Sequence, residues 1–321
     1  MINNIKNKRF LKYSEKYFLK IIGYLIFGLA LFYIFEQIKN NWEMLENGSS
    51  YFNIKFFILY LISLQIYFFY QINLWKLILK SLGTNINFLT SCYFYYSNNL
   101  LAYTPGKIAN ALGMASVANK YKISISNTIT TLFLFQIYSL ISGTFLISLF
   151  SLSSNKEIIE SLNLNNLWIL FIASLLGLTF IYPSFRDFTI INLKKITGKK
   201  IKNPNISFRN SIFQIILYAI GWLINCLSIT FLIKALTFNN EVILYPLVVL
   251  IFIASYLTGL LAFVVPAGFG ILEAGFIYGF GMIFTIKEII LITIILRLGN
   301  VFSTLFGWSI TKLIVAKKAK F

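Results

Sequence analysis

The sequence predicts an all-α fold: a polytopic transmembrane helix bundle of about seven to eight spans, with two Pro/Gly-broken helices, spanning or re-entrant, in a pseudo-repeat. Three observations carry that reading. First, 58% of the 321 residues are hydrophobic and only 12% are charged, too little polar surface to cover one soluble core. Second, apolar runs long enough for a hydrocarbon layer about 30 Å thick recur from Phe18 to Val315, whereas the alternating strand segments of an outer-membrane barrel are missing. Third, 28 Lys plus Arg stand against 10 Asp plus Glu, and the basic residues collect in short segments between apolar runs, the positive-inside pattern of a membrane protein. In that setting the positive charge points to anionic lipid head groups as partners rather than nucleic acid.

Taken in order, the chain opens on a short basic N-terminus, residues 1–17, with Lys6, Lys8, Arg9, Lys12 and Lys16. Lys20 and the run from Ile21 to Phe35 follow with the charge order of a signal peptide. No small-residue cleavage site appears and Glu36, Gln37 and Lys39 end the run, so a retained first helix over Phe18–Phe35 is expected, its N-terminus cytoplasmic. Further helices are predicted over Ile54–Leu74, Ser126–Phe150, Leu167–Tyr182, Ser211–Ile233, Ile243–Val265 and Glu288–Ile314. Trp42, Trp75 and Trp168 fall near span ends, as interfacial anchors do. Cys92 and Cys226 lie inside apolar runs as small hydrophobes and imply neither disulfide nor metal. Residues 1–321 are read as one integral membrane domain with a basic cytoplasmic loop at 184–210.

Two apolar stretches, Phe88–Val117 and Ile243–Phe284, are each interrupted by Pro followed by Gly. The first break reads Tyr103-Thr104-Pro105-Gly106-Lys107, the second Val265-Pro266-Ala267-Gly268-Phe269-Gly270. Proline removes a backbone donor and glycine admits conformations closed to other residues, so each break splits a stretch into two half-helices. Irregular backbone at membrane depth is tolerated only inside protein or beside water, and a simple kink or interfacial loop is the plainer alternative. The breaks occupy matching places, the next long helix starting some twenty residues after each proline, and paired interruptions of this kind point to a transporter binding site.

Charge bias places the N-terminus, Lys76 to Lys80, Lys120 to Lys122 and Arg186 to Arg209 in the cytoplasm, so the stretch around Pro105 must enter and leave on one side. The tail bearing Lys312, Lys317, Lys318 and Lys320 also belongs there, which requires the segment after Pro266 to cross fully; if that segment is re-entrant, the tail lies outside.

Few side chains are capable of catalysis: there is no histidine, and the one aspartate, Asp187, sits in a basic loop. A catalytic triad, a His-ligated metal and a paired-aspartate metal site are thereby excluded, and no enzyme activity, cofactor or metal is expected. A charge at membrane depth is retained mainly when paired or functional, and Lys107, Glu273 and Arg297 are the candidates. Lys107 follows Pro105-Gly106 at an expected half-helix N-terminus, where a lipid phosphate fits; snorkelling to the interface is the alternative. Asn110, on the same short helix, is placed to bond a head group or a backbone carbonyl. Glu273 and Arg297 would meet if their segments form a hairpin, either neutralising each other or exchanging partners when Arg297 receives a phosphate. Gly275-x-x-x-Gly279 reads as close helix packing.

Four groups of residues together resemble the flippase-like transmembrane region of bacterial lysylphosphatidylglycerol synthases. They are Trp75 to Gly83, Tyr103-Thr104-Pro105-Gly106-Lys107, Pro266-Ala267-Gly268-Phe269-Gly270-Ile271-Leu272-Glu273-Ala274 and Leu296-Arg297-Leu298. The resemblance covers about residues 15 to 315. It implies movement of lipids such as aminoacylated phosphatidylglycerol across the inner membrane, or a related role with lipid-linked glycans. No counterpart of the cytosolic aminoacyl-transferase domain stands among the 321 residues, so lysyl transfer is not expected. Phe135-Gln136 replaces an acidic-plus-arginine pair usual in the family, and Leu272 stands where an arginine is frequent. The expectation is an inner-membrane lipid translocator with head-group contacts at Lys107, Asn110, Glu273 and Arg297, and hinges at Pro105, Gly106, Pro266, Gly268 and Gly270. The alternative is a non-catalytic accessory subunit of an envelope glycan or lipid assembly complex, with protein partners from envelope biosynthesis.

Overall fold

A computed structural model describes residues 39, 52–102, 113–114, 116–118, 121, 123–153, 172, 175, 177–179, 182, 206–236, 245–261 and 270–318. Regular secondary structure among them is α-helical throughout, without a strand. The principal helices are α1 (Ile54–Ser81), α2 (Phe88–Leu101), α3 (Ile125–Ser153), α4 (Phe208–Leu236), α5 (Tyr245–Leu261), α6 (Ile271–Phe280) and α7 (Ile286–Lys318). Four of them, α1, α3, α4 and α7, are long and apolar enough to cross a membrane. The expected helix over Phe18–Phe35, Trp42 and Trp168 lie outside the described residues; of Leu167–Tyr182, residues 172, 175 and 177–179 are helical.

Helix ends follow from local chemistry. The Asn53 side chain accepts the Phe56 N–H at 3.4 Å and Asn87 accepts that of Thr90 at 2.7 Å, each capping orphan donors of a first turn. α1 ends in a Schellman motif: Gly83, at φ +76°, donates to the Lys80 carbonyl, and Thr84 donates to Leu79. This carries the helix past the Leu74 end expected from the apolar run. Trp75 is consequently no interfacial anchor; it is fully buried in the bundle. α7 starts on a capping box in which Thr285 and Glu288 exchange side-chain to backbone bonds of 2.8 and 3.3 Å. Along α1, Ile54, Ile58, Ile62, Ile66 and Phe69 face outward, while Tyr60, Leu64, Gln71 and Trp75 face inward. Apolar side chains thus meet lipid, and polar ones are kept for the interior.

Contacts fix the direction of each helix. α1 and α4 share the most extensive interface and run antiparallel, since Asn53 N–H donates to the Ala235 carbonyl at 3.0 Å and the Tyr70 hydroxyl to Leu217 at 2.8 Å. α7 runs parallel to α1, with Gly299 against Tyr60 and Gln65 donating to Ser303 at 2.7 Å. α3 runs parallel to α4, with Phe135 against Tyr218 and Trp222 donating to the Ser139 carbonyl. α5 is antiparallel to α3, and α6 is antiparallel to α5. Helices α5 and α6 therefore enter and leave at one end of the bundle as a hairpin. At 17 and 10 residues, neither matches the roughly 20 needed to cross.

This geometry corrects the parity expected for the tail. Lys312 lies at the same end as Lys80 even though the segment after residue 266 turns back, because α5 reverses along with α6. The stretch between α1 and α3 also leaves and returns at one end, as expected: the Asn127 side chain on α3 donates to the Leu82 carbonyl and to Thr84 just past α1.

The two halves correspond with inverted topology. Ile125 and Ile286, which open α3 and α7, are 161 positions apart, the same spacing as Pro105 and Pro266. On that register α1 pairs with α4, α2 with α5, the helical residues 113–114 and 116–118 with α6, and α3 with α7. Paired helices α1 and α4 run in opposite directions, as do α3 and α7, and the contacts are exchanged accordingly: α2 packs on α7 as α5 packs on α3. This is the arrangement of inverted repeats related by a two-fold axis in the membrane plane.

Candidate functional site

Two of the three charged residues that the sequence placed at membrane depth, Glu273 and Arg297, meet where the α5–α6 hairpin touches α7. Arg297 lies nine residues beyond Glu288, about 14 Å along the helix axis, well inside a membrane-length helix. Its guanidinium grips Glu273 in a bidentate pair, Nε to Oε1 at 2.5 Å and Nη2 to Oε2 at 2.9 Å. The side chains are only 11% and 14% exposed respectively, so the charges attract each other in a poorly hydrated setting.

Glu273 is held from its own helix as well. It is the third residue of α6, and its Oε2 accepts the N–H of Gly270 at 2.8 Å, which places carboxylate charge against the positive end of the helix dipole. Gly270 takes φ +80°, a left-handed conformation open to glycine at low cost, so the chain can turn into α6 there. α6 in turn is held by close approach to α5. A Cβ on Gly275 would meet the backbone Cα of Ser255 at 3.1 Å as well as its side chain, and one on Gly279 would meet the Ile251 side chain at 2.6 Å. The Gly275-x-x-x-Gly279 spacing is thus a packing face, as the sequence suggested.

Of the sequence-derived site residues, Glu273, Arg297 and the hinge Gly270 are brought together. Lys107, Asn110, Pro105, Gly106, Pro266 and Gly268 lie outside the described residues. No group of three or more His, Cys, Asp or Glu able to hold a metal occurs among the described residues.

Sequence reasoning passed over a set of buried polar side chains on α1 and α4: Tyr60, Gln71, Gln214 and Tyr218, each 5% exposed or less. The available signal was the inward stripe Tyr60, Gln71, Trp75 on α1, a polar face on a helix whose opposite face is aliphatic.

The family model described as lysylphosphatidylglycerol synthase TM region matches residues 20–307. No curated protein matches the chain.

Proposed function

Since the chain belongs to the lysylphosphatidylglycerol synthase TM region family, we propose that it translocates lipid across the inner membrane, its cargo an anionic or aminoacylated phospholipid or a lipid-linked envelope precursor. The observation that carries this reading is the bidentate Glu273–Arg297 pair at the N-terminus of a half-helix within the bundle. Discontinuous helices of this kind turn the positive ends of their dipoles toward anionic substrate groups, near the interface between inverted repeats.

In the resting arrangement Glu273 serves as a stand-in anion for Arg297. A head-group phosphate approaching the pair offers the guanidinium the same fork geometry as the carboxylate. Glu273 then keeps its bond to the Gly270 N–H while Arg297 transfers to phosphate, so neither charge is left bare at depth. The cycle needs no acid, base or metal, and the protein acts as a transporter rather than an enzyme. By the positive-inside rule, the end carrying Lys76, Lys80 and Lys312 is cytoplasmic and the α5–α6 hairpin opens on the other side; the same rule assigns the basic N-terminus, residues 1–17, to the cytoplasm.

The test is leaflet exchange of head-group-labelled phosphatidylglycerol in liposomes containing the purified protein, for wild type beside Arg297→Gln, Glu273→Gln and Lys107→Ala. Exchange above protein-free liposomes that falls at least tenfold in folded Arg297→Gln protein supports the reading. Equal exchange in wild type and Arg297→Gln removes the pair from the mechanism. No exchange of any anionic lipid removes the translocator.

A further inference from the structure

A second polar cluster lies between α1 and α4, nearer the end with Lys80, unused by the anion cycle. Tyr60 packs beside Gly299, two residues from Arg297, and Gln71 stands eleven residues further along α1, about 16 Å deeper toward the end with Lys80. Gln71 and Trp75 are one turn apart on α1, and Gln214 and Tyr218 one turn apart on α4. The antiparallel α1–α4 contact brings the two pairs into one region: a Cβ on Gly221 would lie 3.0 Å from Gln71 Nε2. Phe135 of α3 is the hub, its ring centroid 5.8 Å from Trp75, 5.2 Å from Tyr218 and 6.4 Å from Tyr95.

Gln71, Trp75, Gln214 and Tyr218 are 5%, 0%, 5% and 2% exposed. Yet Gln71 Oε1, Trp75 Nε1, Gln214 Oε1 and the Tyr218 hydroxyl find no hydrogen-bond partner among the described residues, and neither does Gln136 Oε1, next to Phe135 in sequence. A buried polar atom without a partner bears its whole desolvation penalty, and leucine or phenylalanine would pack these positions more stably. Several such atoms around one ring leave hydrogen-bonding capacity that a ligand can take up.

The chemistry of the cluster narrows that ligand. The two glutamine amides each accept through Oε1 and donate through Nε2, the indole N–H donates, and the phenol does both, so the cluster suits a ligand that carries donors and acceptors together. A phosphate would bring a negative charge with no lysine or arginine in the cluster to offset it. A bare ammonium would bring a charge with no carboxylate in the cluster to offset it. Hydroxyl groups fit, and the faces of Trp75, Phe135, Tyr95 and Tyr218 suit the apolar C–H faces of a sugar ring. We propose that Gln71, Trp75, Gln214 and Tyr218 form a binding site for an uncharged glycosyl group, carried on a lipid or free. The site is separate from the Glu273–Arg297 pair, so it stands whether or not the protein exchanges anionic lipid.

The experiment uses the full chain in phosphatidylcholine nanodiscs doped with equal amounts of monoglucosyldiacylglycerol and diacylglycerol. Native mass spectrometry reads the retained lipid, and thermal unfolding is followed in parallel. Wild type should retain the glucosyl lipid at least tenfold over diacylglycerol, Tyr218→Phe about threefold, and Gln214→Leu and Gln71→Leu without preference, while Arg297→Gln keeps the wild-type ratio. Gln214→Leu should unfold at a higher temperature than wild type without the glucosyl lipid and gain nothing when it is added, which separates lost binding from misfolding. Displacement of the glucosyl lipid by millimolar methyl glucoside supports the site and assigns it to the free sugar; resistance to displacement assigns it to the lipid head group. Equal retention of the two lipids by wild type, or a preference that survives both leucine variants, overturns the proposal.

Discussion

Removing one partner of the Glu273–Arg297 pair should have a cost that depends on which partner goes, and the structure sets the order. Arg297→Gln leaves Glu273 largely buried with a single bond, from the Gly270 N–H, and removes the cation that balances it. Breaking a buried pair in this way costs about 3 to 5 kcal/mol. Glu273→Gln keeps an amide oxygen for the Gly270 N–H and for one guanidinium donor, so its cost falls to about 1 to 3 kcal/mol, the range for an imperfectly satisfied buried group. In the double variant two neutral amides face each other and neither charge is stranded. Its loss should be smaller than that of Arg297→Gln alone, giving a coupling energy of about 2 kcal/mol, within the range for contacting residues. Reversible unfolding in mixed micelles, followed by far-UV circular dichroism for wild type and the three variants, measures the cycle. A coupling energy below about 0.5 kcal/mol, the scatter expected of independent sites, would refute the claim that the two charges depend on each other.

Other expectations follow from single contacts. Gly275→Ala drives a methyl into Ser255, backbone included, and should cost about 1 to 3 kcal/mol by micelle unfolding, partly restored by Ser255→Gly; an unaffected variant would mean that α5 and α6 are not held at this distance. Gly270→Ala meets nothing within 4 Å, so only its left-handed backbone is strained, and it should cost about 1 to 2 kcal/mol, with Gly270→Asn milder in the same assay. Tyr60→Phe removes a fully buried hydroxyl that has no partner among the described residues. It should leave stability unchanged or raise it by up to about 1 kcal/mol, and a clear loss would reveal a partner for that oxygen.

Much of this architecture was legible because the bilayer imposes its own length scale. The spans α1, α3, α4 and α7 follow from apolar runs alone, and the Glu273–Arg297 contact follows from asking how two isolated charges survive at depth. The Gly275 and Gly279 face followed from small-residue spacing. Parity was misjudged because a run such as Ile243–Val265 has the composition of a span whether it crosses or turns back; only its contacts with Gly143 and Phe150 of α3 give its direction. Trp75 was misassigned because a tryptophan followed by lysine resembles an interface until Gly83 is seen to end the helix two turns later. The Gln71–Gln214 cluster went unseen because single glutamines in long apolar helices become a group only once α1 and α4 are known to run antiparallel.

The inverted repeat makes one further comparison possible, because its two halves differ in charge. On the 161-residue register Arg297 corresponds to Gln136 and Glu273 to Leu112, so the half that keeps the ion pair faces a half in which both members are neutral. The correspondence has a direct consequence. Gln136→Arg places a cation at the position that Arg297 holds on the 161-residue register, with leucine at the register position of Glu273, and should destabilise the protein by about 3 to 5 kcal/mol, the cost of a stranded buried charge. Adding Leu112→Glu should recover about half of that loss or more, whereas Leu112→Gln should recover little, since an amide cannot neutralise the guanidinium. Micelle unfolding of the single and paired variants distinguishes these outcomes. If Gln136→Arg is harmless, residue 136 reaches water or lipid head groups by snorkelling, and the two halves differ in depth. If it is harmful but glutamate at 112 gives no rescue, the halves share helices and directions without sharing a site, and the second ion pair was never a position the fold could hold.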